Sequence, residues 1–352
     1  MRIGLVIGQL TAGGAERQLS LVARALRSWG WEPIVYSTSE KTDPFGDEIR
    51  AAGVPLRAFG GSPPERVARL RAALVGDGVR VVHSWLYLGN AYAFLAVAGR
   101  KEIPLVTSAR NCKRQGGAVD VLNRLAFRRS RAIVANSRLV ADYVSRAYGA
   151  PRERVVVVYN GVDLGEFGAR AGDGREGLVV GMGRLVRQKN PDLFVDAAAR
   201  LSGRAPDASF VFFGEGPLRR SLEKKVGELG LGRRVSLPGI TKDVPGVLAR
   251  ASLFWLTSEW EGLPNVVLEA MASGVPPIAT DVGGTRELFR SGREGFLVAP
   301  GDVSGFVDYS SALLSDAACW RAFSSRARER AARFSKERML ESMRALYESL
   351  GR

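Results

Sequence analysis

The sequence is poor in the residues that build metal sites and disulfide frameworks. It has one histidine and two cysteines in 352 residues, and Cys112 and Cys319 are far apart in the chain. Two such cysteines exclude a disulfide scaffold, lack the spacing of metal ligands, and indicate a reducing compartment such as the cytosol. No D-x-D motif presents a pair of carboxylates to a divalent metal. The sequence therefore predicts a protein without a metal site.

Long apolar runs are also lacking. No run approaches the roughly 18 residues expected of a membrane span, and the first residues, MRIGLVIG, have the pattern of a buried strand rather than of a signal peptide. A hydrophobic content of 46% with mixed charge argues against disorder. The length allows two domains, each with its own core. We therefore expect a cytoplasmic protein of two ordinary-sized domains.

Acidic residues are too few to balance the basic ones, and the net charge is +15. Residues 1–165 carry 24 Lys and Arg against 13 Asp and Glu, whereas residues 166–352 carry 27 against 23. A basic field attracts nucleic acid, anionic membranes or phosphorylated substrates. The chain has no nucleic-acid recognition motif and no basic segment interleaved with aromatic residues. Charge alone does not choose between these partners.

Short apolar strands alternate with amphipathic helical patterns along the whole chain, which is typical of an α/β protein with doubly wound parallel sheets. A glycine-rich segment at 165–177 separates two such runs, so we predict a first domain at 1–165 and a second at 166–335. A last helix at 336–350 follows. The predicted strands are Ile3–Ile7, Pro33–Ser37, Pro55–Phe59, Val79–His83, Pro104–Ser108, Ala132–Ala135, Val155–Tyr159, Leu178–Met182, Ser209–Phe213, Val235–Pro238, Leu253–Leu256, Pro277–Thr280 and Gly295–Val298.

The stretch from Trp255 to Leu288 contains two glutamates, Glu261 and Glu269, eight residues apart. Between them lies Gly-Leu-Pro-Asn, and the proline suits the first turn of a helix because its missing N–H costs nothing there. Gly274 is typical of the C-terminal cap. We therefore predict a helix from Pro264 to Ser273, with Glu261 in the loop before it and Glu269 about one turn inside it.

The start of this predicted helix suits an anion. The N–H groups of Asn265, Val266 and Val267 would lack partners within the helix, and the positive end of the helix dipole lies there. Carboxylates on either side of an anion site suit hydroxyl groups. A ligand with hydroxyls on both sides of a phosphate is a sugar nucleotide, which the stretch therefore predicts.

Other polar residues follow predicted strands, where ligands of such sheets bind. Arg184 and Lys189 follow the strand Leu178–Met182, and two cations there suit a diphosphate, although a solvated basic turn has the same composition. Gly13 and Gly14 lie in a glycine-rich turn after the first strand, without the G-x-G-x-x-G spacing of a dinucleotide site. His83 ends a strand, and we expect a loop at 84–89 before the next helix.

These motifs resemble those of glycosyltransferase family 4, a family of retaining GT-B enzymes that includes bacterial enzymes of surface-polysaccharide synthesis. The likeness rests on the E-x7-E pair, on the G-R-L-x-x-x-K-x-x-x-L pattern, on the GG-A-E turn and on VVHSW. The resemblance implies a GT-B fold of two doubly wound Rossmann-like domains facing each other across a cleft, with the C-terminal helix, about 336–352, packed back on the first domain.

The resemblance also implies roles for individual residues. It makes Glu261 and His83 contacts of the donor sugar, Glu269 the partner of the ribose, and Arg184 with Lys189 the clamp of the diphosphate. Glu261, His83, Arg184 and Lys189 form the expected catalytic set. The expected nucleotide-binding residues are Gly13, Gly14, Arg184, Lys189, Thr241, Leu263, Pro264, Asn265, Val266 and Glu269.

The implied function is transfer of a hexose or N-acetylhexosamine from a nucleoside-diphosphate sugar, with UDP expected, to a lipid-linked or saccharide acceptor. Neither a metal nor a cofactor is expected, because Arg184 and Lys189 can replace the charge of a metal. A basic cluster at 113–131 favours peripheral attachment to an anionic membrane, such as the inner face of the plasma membrane. The alternatives are another GT-B enzyme, such as a sugar-nucleotide epimerase, and a basic nucleic-acid-binding protein.

Overall fold

The computed structural model describes residues 1–11, 13–168 and 177–350. The chain divides into two compact units, of which unit 1 comprises Met1–Gly161 and Glu337–Arg352, and unit 2 comprises Val162–Lys336. The first boundary thus lies four residues before the predicted one at 165. Most of the predicted glycine-rich segment at 165–177 lies outside the described residues.

Unit 1 is built on a parallel sheet of seven strands. The strands are β1 Arg2–Ile7, β2 Glu32–Ser37, β3 Leu56–Ala58, β4 Val81–Trp85, β5 Leu105–Ala109, β6 Ala132–Ala135 and β7 Val155–Val157. Their order in the sheet is β3-β2-β1-β4-β5-β6-β7. Because the chain winds outward from β1 in one direction and from β4 in the other, the order reverses between these two strands.

Helices connect these strands, as parallel pairing requires. They are α1 Gly14–Ser28, α2 Phe45–Ala51, α3 Pro63–Gly76, α4 Leu86–Ala96, α5 Gly117–Arg129 and α6 Arg138–Tyr148, and a short 3₁₀ turn spans Arg152–Arg154. In α1, Leu19, Val22 and Leu26 share one face and are fully buried. This spacing of three and four residues is typical of an amphipathic helix that packs one face on a core.

Unit 2 repeats the same plan with six parallel strands. The strands are β8 Leu178–Met182, β9 Ser209–Phe213, β10 Val235–Gly239, β11 Leu253–Leu256, β12 Pro277–Thr280 and β13 Phe296–Val298. Their order is β10-β9-β8-β11-β12-β13, so the reversal falls between β8 and β11.

The helices of unit 2 are α7 Leu164–Phe167, α8 Pro191–Ser202, α9 Arg219–Glu228, α10 Val244–Arg250, α11 Asn265–Ala272, α12 Thr285–Leu288, α13 Val303–Ser315 and α14 Ala317–Ala331, with 3₁₀ turns at Arg187–Lys189 and Ala332–Phe334. Trp255 on β11 lies at the centre of the core, with edge-on ring contacts to Phe194 and Phe306 at 5.3 and 5.4 Å. Its Nε1 donates to Ser310 Oγ at 3.0 Å.

The last helix, α15, runs from Lys336 to Leu350, and all but its first residue belong to unit 1. Met339, Met343, Leu346 and Tyr347 form its buried face within a core cluster of unit 1. The Tyr347 ring meets Trp31 edge-on at 5.9 Å. Unit 1 is therefore completed by residues from the far end of the chain.

The predicted strands match the observed ones closely: five have the observed bounds, Ala132–Ala135, Leu178–Met182, Ser209–Phe213, Leu253–Leu256 and Pro277–Thr280. The prediction of two doubly wound α/β units is confirmed. Among the described residues, no helix is long and apolar enough to cross a membrane.

Candidate functional site

In unit 2 the strand order reverses between β8 and β11, and ligands of such sheets bind beyond the carboxyl ends of the strands at this point. The segment after β8 contains Arg184 and Lys189, and the segment after β11 contains Glu261. The sheet topology therefore brings together residues about seventy positions apart in the sequence.

Lys189 and Glu261 form an ion pair in this place. Lys189 Nζ lies 2.5 Å from Glu261 Oε1, and the two side chains are only 17% and 9% exposed. Ser258 Oγ donates to the same carboxylate oxygen at 2.7 Å. The pair is partly shielded from water. Opposite charges attract each other more strongly in such a shielded place than at the protein surface.

Backbone and side-chain bonds also join the two segments. Thr257 Oγ1 donates to the Lys189 carbonyl at 2.8 Å, and Gln188 Nε2 donates to the Trp260 carbonyl at 3.1 Å. The Glu259 N–H donates to the Gln188 carbonyl at 2.8 Å. These hydrogen bonds hold the segment that carries Lys189 against the segment that carries Glu261.

Two glycines allow the backbone to approach these segments closely. Gly214, after β9, has φ +151, and a Cβ there would overlap the carbonyl oxygen of Gly183. Gly283, after β12, has φ +56, and a Cβ there would overlap the carbonyl oxygen of Glu261. Larger residues at either position would displace the loop that carries Arg184 or the loop that carries Glu261.

Helix α11 begins one residue later than predicted and ends one residue earlier, at Asn265 and Ala272. Pro264 is the N-cap rather than the first helical residue. The Val267 N–H donates to the Pro264 carbonyl at 3.3 Å, so the prediction that this group is free for a ligand is wrong. The tightened first turn, bonded as in a 3₁₀-helix, explains the difference.

The other predicted nucleotide-binding residues of unit 2 lie around these elements. Glu269 is in the second turn of α11 and is 6% exposed, and Leu263 is 5% exposed. The Arg184 side chain is exposed. Thr241 follows β10, and its Oγ1 accepts the N–H of Asp243 at 3.1 Å. Their predicted contacts with a nucleotide remain predictions.

His83 in unit 1 has a different environment from the one predicted. Strand β4 continues through Trp85, and α4 begins at once at Leu86, whose φ is +65. The predicted loop at 84–89 is therefore absent. The turn from strand to helix is tight because the backbone of Leu86 adopts the left-handed conformation. This conformation is uncommon for residues other than glycine.

The His83 ring is fully buried and bonded at both nitrogens. Nδ1 lies 2.5 Å from the Tyr347 hydroxyl, and Nε2 lies 2.7 Å from Ser108 Oγ. Burial, with a smaller contribution from the Arg110 charge, lowers the pKa of His83 to about 3. A sugar contact at either nitrogen would require one of these bonds to be replaced. The roles predicted for His83, Gly13 and Gly14 remain predictions.

Comparison with known proteins identifies the family. Residues 12–166 match the family model described as Glycosyltransferase Family 4, and residues 168–333 match the one described as Glycosyl transferases group 1. The lipopolysaccharide core biosynthesis mannosyltransferase LpsB of Rhizobium meliloti is 30% identical over 271 residues, which are 72% of this chain and 74% of that protein. The chain belongs to glycosyltransferase family 4.

Two further similarities accompany this family 4 membership. A UDP-Gal:alpha-D-GlcNAc-diphosphoundecaprenol alpha-1,3-galactosyltransferase of Escherichia coli is 33% identical over 169 residues, and the match spans 44% of each chain, less than half of that relative. The structure of Anabaena HepE in complex with UDP-glucose superposes with a TM-score of 0.88 at 22% identity, covering 99% of this chain and 100% of that one. This likeness shows a common GT-B fold.

A buried polar cluster in unit 1 of this family 4 chain was not predicted from the sequence. Arg110 directly follows β5 and is 8% exposed, and its guanidinium lies 4.4 Å from the centre of the Trp85 ring. Its Nη2 donates to Asn160 Oδ1 at 2.9 Å. Burial lowers the pKa of Arg110 to about 9, against the attraction of Glu16.

Two buried atoms beside this arginine have no hydrogen-bond partner among the residues that the structure describes. They are Nε1 of Trp85 and Oδ1 of Asn136, whose Nδ2 donates to the Arg110 carbonyl at 3.4 Å. An unpaired buried polar atom costs about 1–3 kcal/mol, so a polar ligand or water at this place would be stabilising. The sequence feature that could have predicted this cluster is an arginine immediately after an apolar strand, in the position where ligands of such sheets bind.

The buried histidine predicts a pH dependence of stability. The His83 pKa of about 3 in the folded chain lies below its value of about 6.5 in an unfolded one, so the unfolded state binds more protons between these pH values. Stability should therefore fall as the pH drops below about 6.5, by up to about 1.4 kcal/mol per pH unit. The slope is measured from the free energy of unfolding of unit 1 in urea at several pH values, with hydrogen exchange of the β4 amides as the readout.

The matched control is His83→Gln, which keeps a polar side chain but does not titrate. The variant should be less stable than the wild type at neutral pH and should lose less stability on acidification. Equal slopes in the two proteins would show that the pKa of His83 is the same in the folded and unfolded states, contrary to its buried environment.

Proposed function

We propose that this family 4 member transfers a hexose or N-acetylhexosamine from a nucleoside-diphosphate sugar to a lipid-linked or saccharide acceptor in polysaccharide or glycoconjugate synthesis. The observation that carries the proposal is the Lys189–Glu261 pair at the reversal of strand order, next to the start of α11. A cation suits the diphosphate, and a shielded carboxylate suits sugar hydroxyls.

The chemistry of the pair allows both contacts at once. A lysine ammonium has three donors, so Lys189 can keep Glu261 and donate to a phosphate oxygen. A carboxylate has about four acceptor positions, and the bonds from Lys189 and Ser258 both use Oε1 of Glu261. Glu261 therefore retains the capacity to accept sugar hydroxyls.

We propose transfer with retention of configuration. The bond between the anomeric carbon and the diphosphate oxygen breaks, and the acceptor hydroxyl bonds to that carbon on the same face while its proton passes to the departing diphosphate. Arg184, Lys189 and the start of α11 would stabilise the negative charge that develops on the leaving group. In this proposal the two side-chain cations take the place of a metal ion.

Several observations support UDP as the nucleotide and a lipid-linked acceptor. The name of the Escherichia coli relative gives a UDP-Gal donor and a diphosphoundecaprenol-linked acceptor, and HepE was crystallised with UDP-glucose. A Campylobacter jejuni relative, 28% identical over 216 residues, is named for a diphospho-undecaprenol acceptor as well.

A membrane-facing role is proposed for α5 on the inner face of the plasma membrane. Its Val121 is 60% exposed and its Leu125 is 43% exposed, while Arg124 and Arg128 are exposed on the same helix. Exposed apolar residues among basic ones are typical of helices that lie in a membrane interface. Arg129 is different, because its Nη2 donates to the Arg100 carbonyl at 3.0 Å.

The phosphate clamp predicts the effect of removing a cation. Arg184→Ala or Lys189→Ala should each cost about 2–4 kcal/mol in the transition state, or roughly thirty- to several-hundred-fold in kcat/KM. Turnover of a panel of UDP-sugars measures this effect. Wild-type rates in both variants would remove these residues from the donor site, and abolition of activity by EDTA would contradict the metal-free mechanism.

The two glutamates should differ in which constant they change. Glu269→Gln should weaken UDP binding, because Glu269 is assigned to the ribose. Glu261→Gln should leave UDP affinity nearly unchanged and lower kcat, because Glu261 is assigned to the sugar. Calorimetry with UDP and steady-state kinetics separate these effects, and the reverse pattern would exchange the two assignments.

The α5 surface predicts binding to anionic vesicles. Each basic residue near such a surface contributes about 1 kcal/mol, screened beyond about 10 Å at 0.1 M salt. Arg124→Gln with Arg128→Gln should therefore weaken co-sedimentation with phosphatidylglycerol vesicles by roughly thirtyfold at low salt and leave UDP affinity unchanged.

The matched control removes two charges from the exposed face of α9 in unit 2, by Arg220→Gln with Lys224→Gln. This variant should bind the vesicles almost as the wild type does. If the wild-type protein does not co-sediment with anionic vesicles at low salt, the membrane proposal fails and a soluble acceptor becomes the better proposal.

A further inference from the structure

Unit 2 contains a second basic site, distinct from the residues of the proposed donor site. A small, solvent-open pocket lies between the turn that follows α12 and the C-terminal part of α14. We call it the arginine pocket, and its lining residues are Arg290, Arg293, Glu294, Arg326, Glu329, Arg330 and Arg333. Five guanidinium groups against two carboxylates leave it with a formal charge of +3.

The helical side of the pocket carries three arginines at close spacing, with only Glu329 among them to balance their charge. Arg326 and Arg330 are four residues apart, and Arg333 follows three residues later in the 3₁₀ turn. Like charges at such spacings repel one another on a helix. An anion bound among these side chains would offset that repulsion.

Part of this side of the pocket is already fixed in place. Arg330 donates from Nε to the Leu288 carbonyl and from Nη2 to the Glu287 carbonyl, each at 2.8 Å. Arg326 donates from Nε to the Ala322 carbonyl at 3.0 Å and lies over the Phe323 ring. A ligand would therefore meet guanidinium groups that need little further ordering.

The opposite side is fixed by a buried carboxylate. Glu294 is 5% exposed, accepts the Arg290 N–H at 2.7 Å and pairs with Arg293 Nε at 3.3 Å. Glu294 is thus committed to its own turn and to Arg293. Arg290, Arg326 and Arg333 remain as the side chains with which a ligand would interact most directly.

We propose that the arginine pocket binds a phosphate or diphosphate group. Arginine forks match phosphate oxygens in pairs, and a doubly charged group neutralises the pocket better than a single carboxylate does. The arginines line a small, solvent-open pocket, which suits one phosphate-bearing head group rather than a large ligand. The group can come from a soluble phosphate compound or from a phosphate-bearing lipid.

The test compares inorganic pyrophosphate binding to the wild-type full chain and to its variants by calorimetry. Arg326→Gln with Arg333→Gln should weaken one binding event by roughly tenfold or more, since charge-assisted hydrogen bonds are lost. Lys189→Ala should leave this event unchanged, which separates it from the donor site. Arg330 is left intact because it holds the carbonyls of Glu287 and Leu288.

The control variant, Arg321→Gln with Arg328→Gln, removes the same charge from α14 at positions that do not line the pocket. It should bind pyrophosphate as the wild type does. An equal loss in this control, or no pyrophosphate binding that depends on Arg326 and Arg333, would overturn the proposal.

A second measurement distinguishes the two sources of phosphate. Co-sedimentation with phosphatidylcholine vesicles, with and without phosphatidic acid, is compared between the pocket variant and the control. A loss of phosphatidic acid binding together with pyrophosphate binding supports a lipid head group. A loss of pyrophosphate binding alone supports a soluble phosphate compound.

Discussion

The ion pair between Lys189 and Glu261 is the interaction on which the proposed donor site depends. It joins the segments that follow β8 and β11, and three further hydrogen bonds run alongside it. A shielded ion pair adds little net stability, because desolvation offsets much of the attraction, whereas removing one partner costs about 3–5 kcal/mol. Its value lies in holding a cation and a carboxylate at a defined distance beyond the reversal of strand order, where ligands of such sheets bind.

Much of the fold was predictable because parallel strands buried on both faces are short, almost continuous apolar runs. Leu253–Leu256 and Pro277–Thr280 were predicted with the bounds that the structure has. The E-x7-E spacing likewise placed Glu261 in a loop and Glu269 in a helix, since a proline and a glycine mark the ends of α11. These features depend on neighbours in the sequence, which is why sequence reasoning found them.

Features that depend on distant residues were missed. The two partners of His83 are Ser108 and Tyr347, which lie 25 and 264 residues away. A lone histidine at the end of a strand gives no sign of either bond, nor of the burial that lowers its pKa. The same holds for Arg110, because stacking on Trp85 arises only when β4 and β5 lie side by side.

The arginine pocket likewise depends on residues that are distant in the sequence. In the sequence the arginines of α14 are indistinguishable from those of an ordinary solvated helix surface. Only the fold brings Arg290 and Arg293 of a turn to Arg326 and Arg333. Charge composition thus indicated an affinity for anions without indicating where an anion would bind.

Three of the few lysines of the chain are found in partly shielded ion pairs. Only eight of the 51 basic residues are lysines, yet Lys189, Lys225 and Lys336 all form partly shielded ion pairs, with side chains 17%, 27% and 31% exposed. An ammonium group is a compact charge with three rotatable donors, whereas a guanidinium is wide and planar. At position 189 the aliphatic stem crosses Gly183 so closely that a Cβ on that glycine would lie only 3.1 Å from the Cγ and Cδ atoms of the lysine, so this contact requires glycine at position 183. The ammonium group of Lys189 bonds Glu261 and still has donors for a second partner, which is the capacity that the proposed contact with a diphosphate needs.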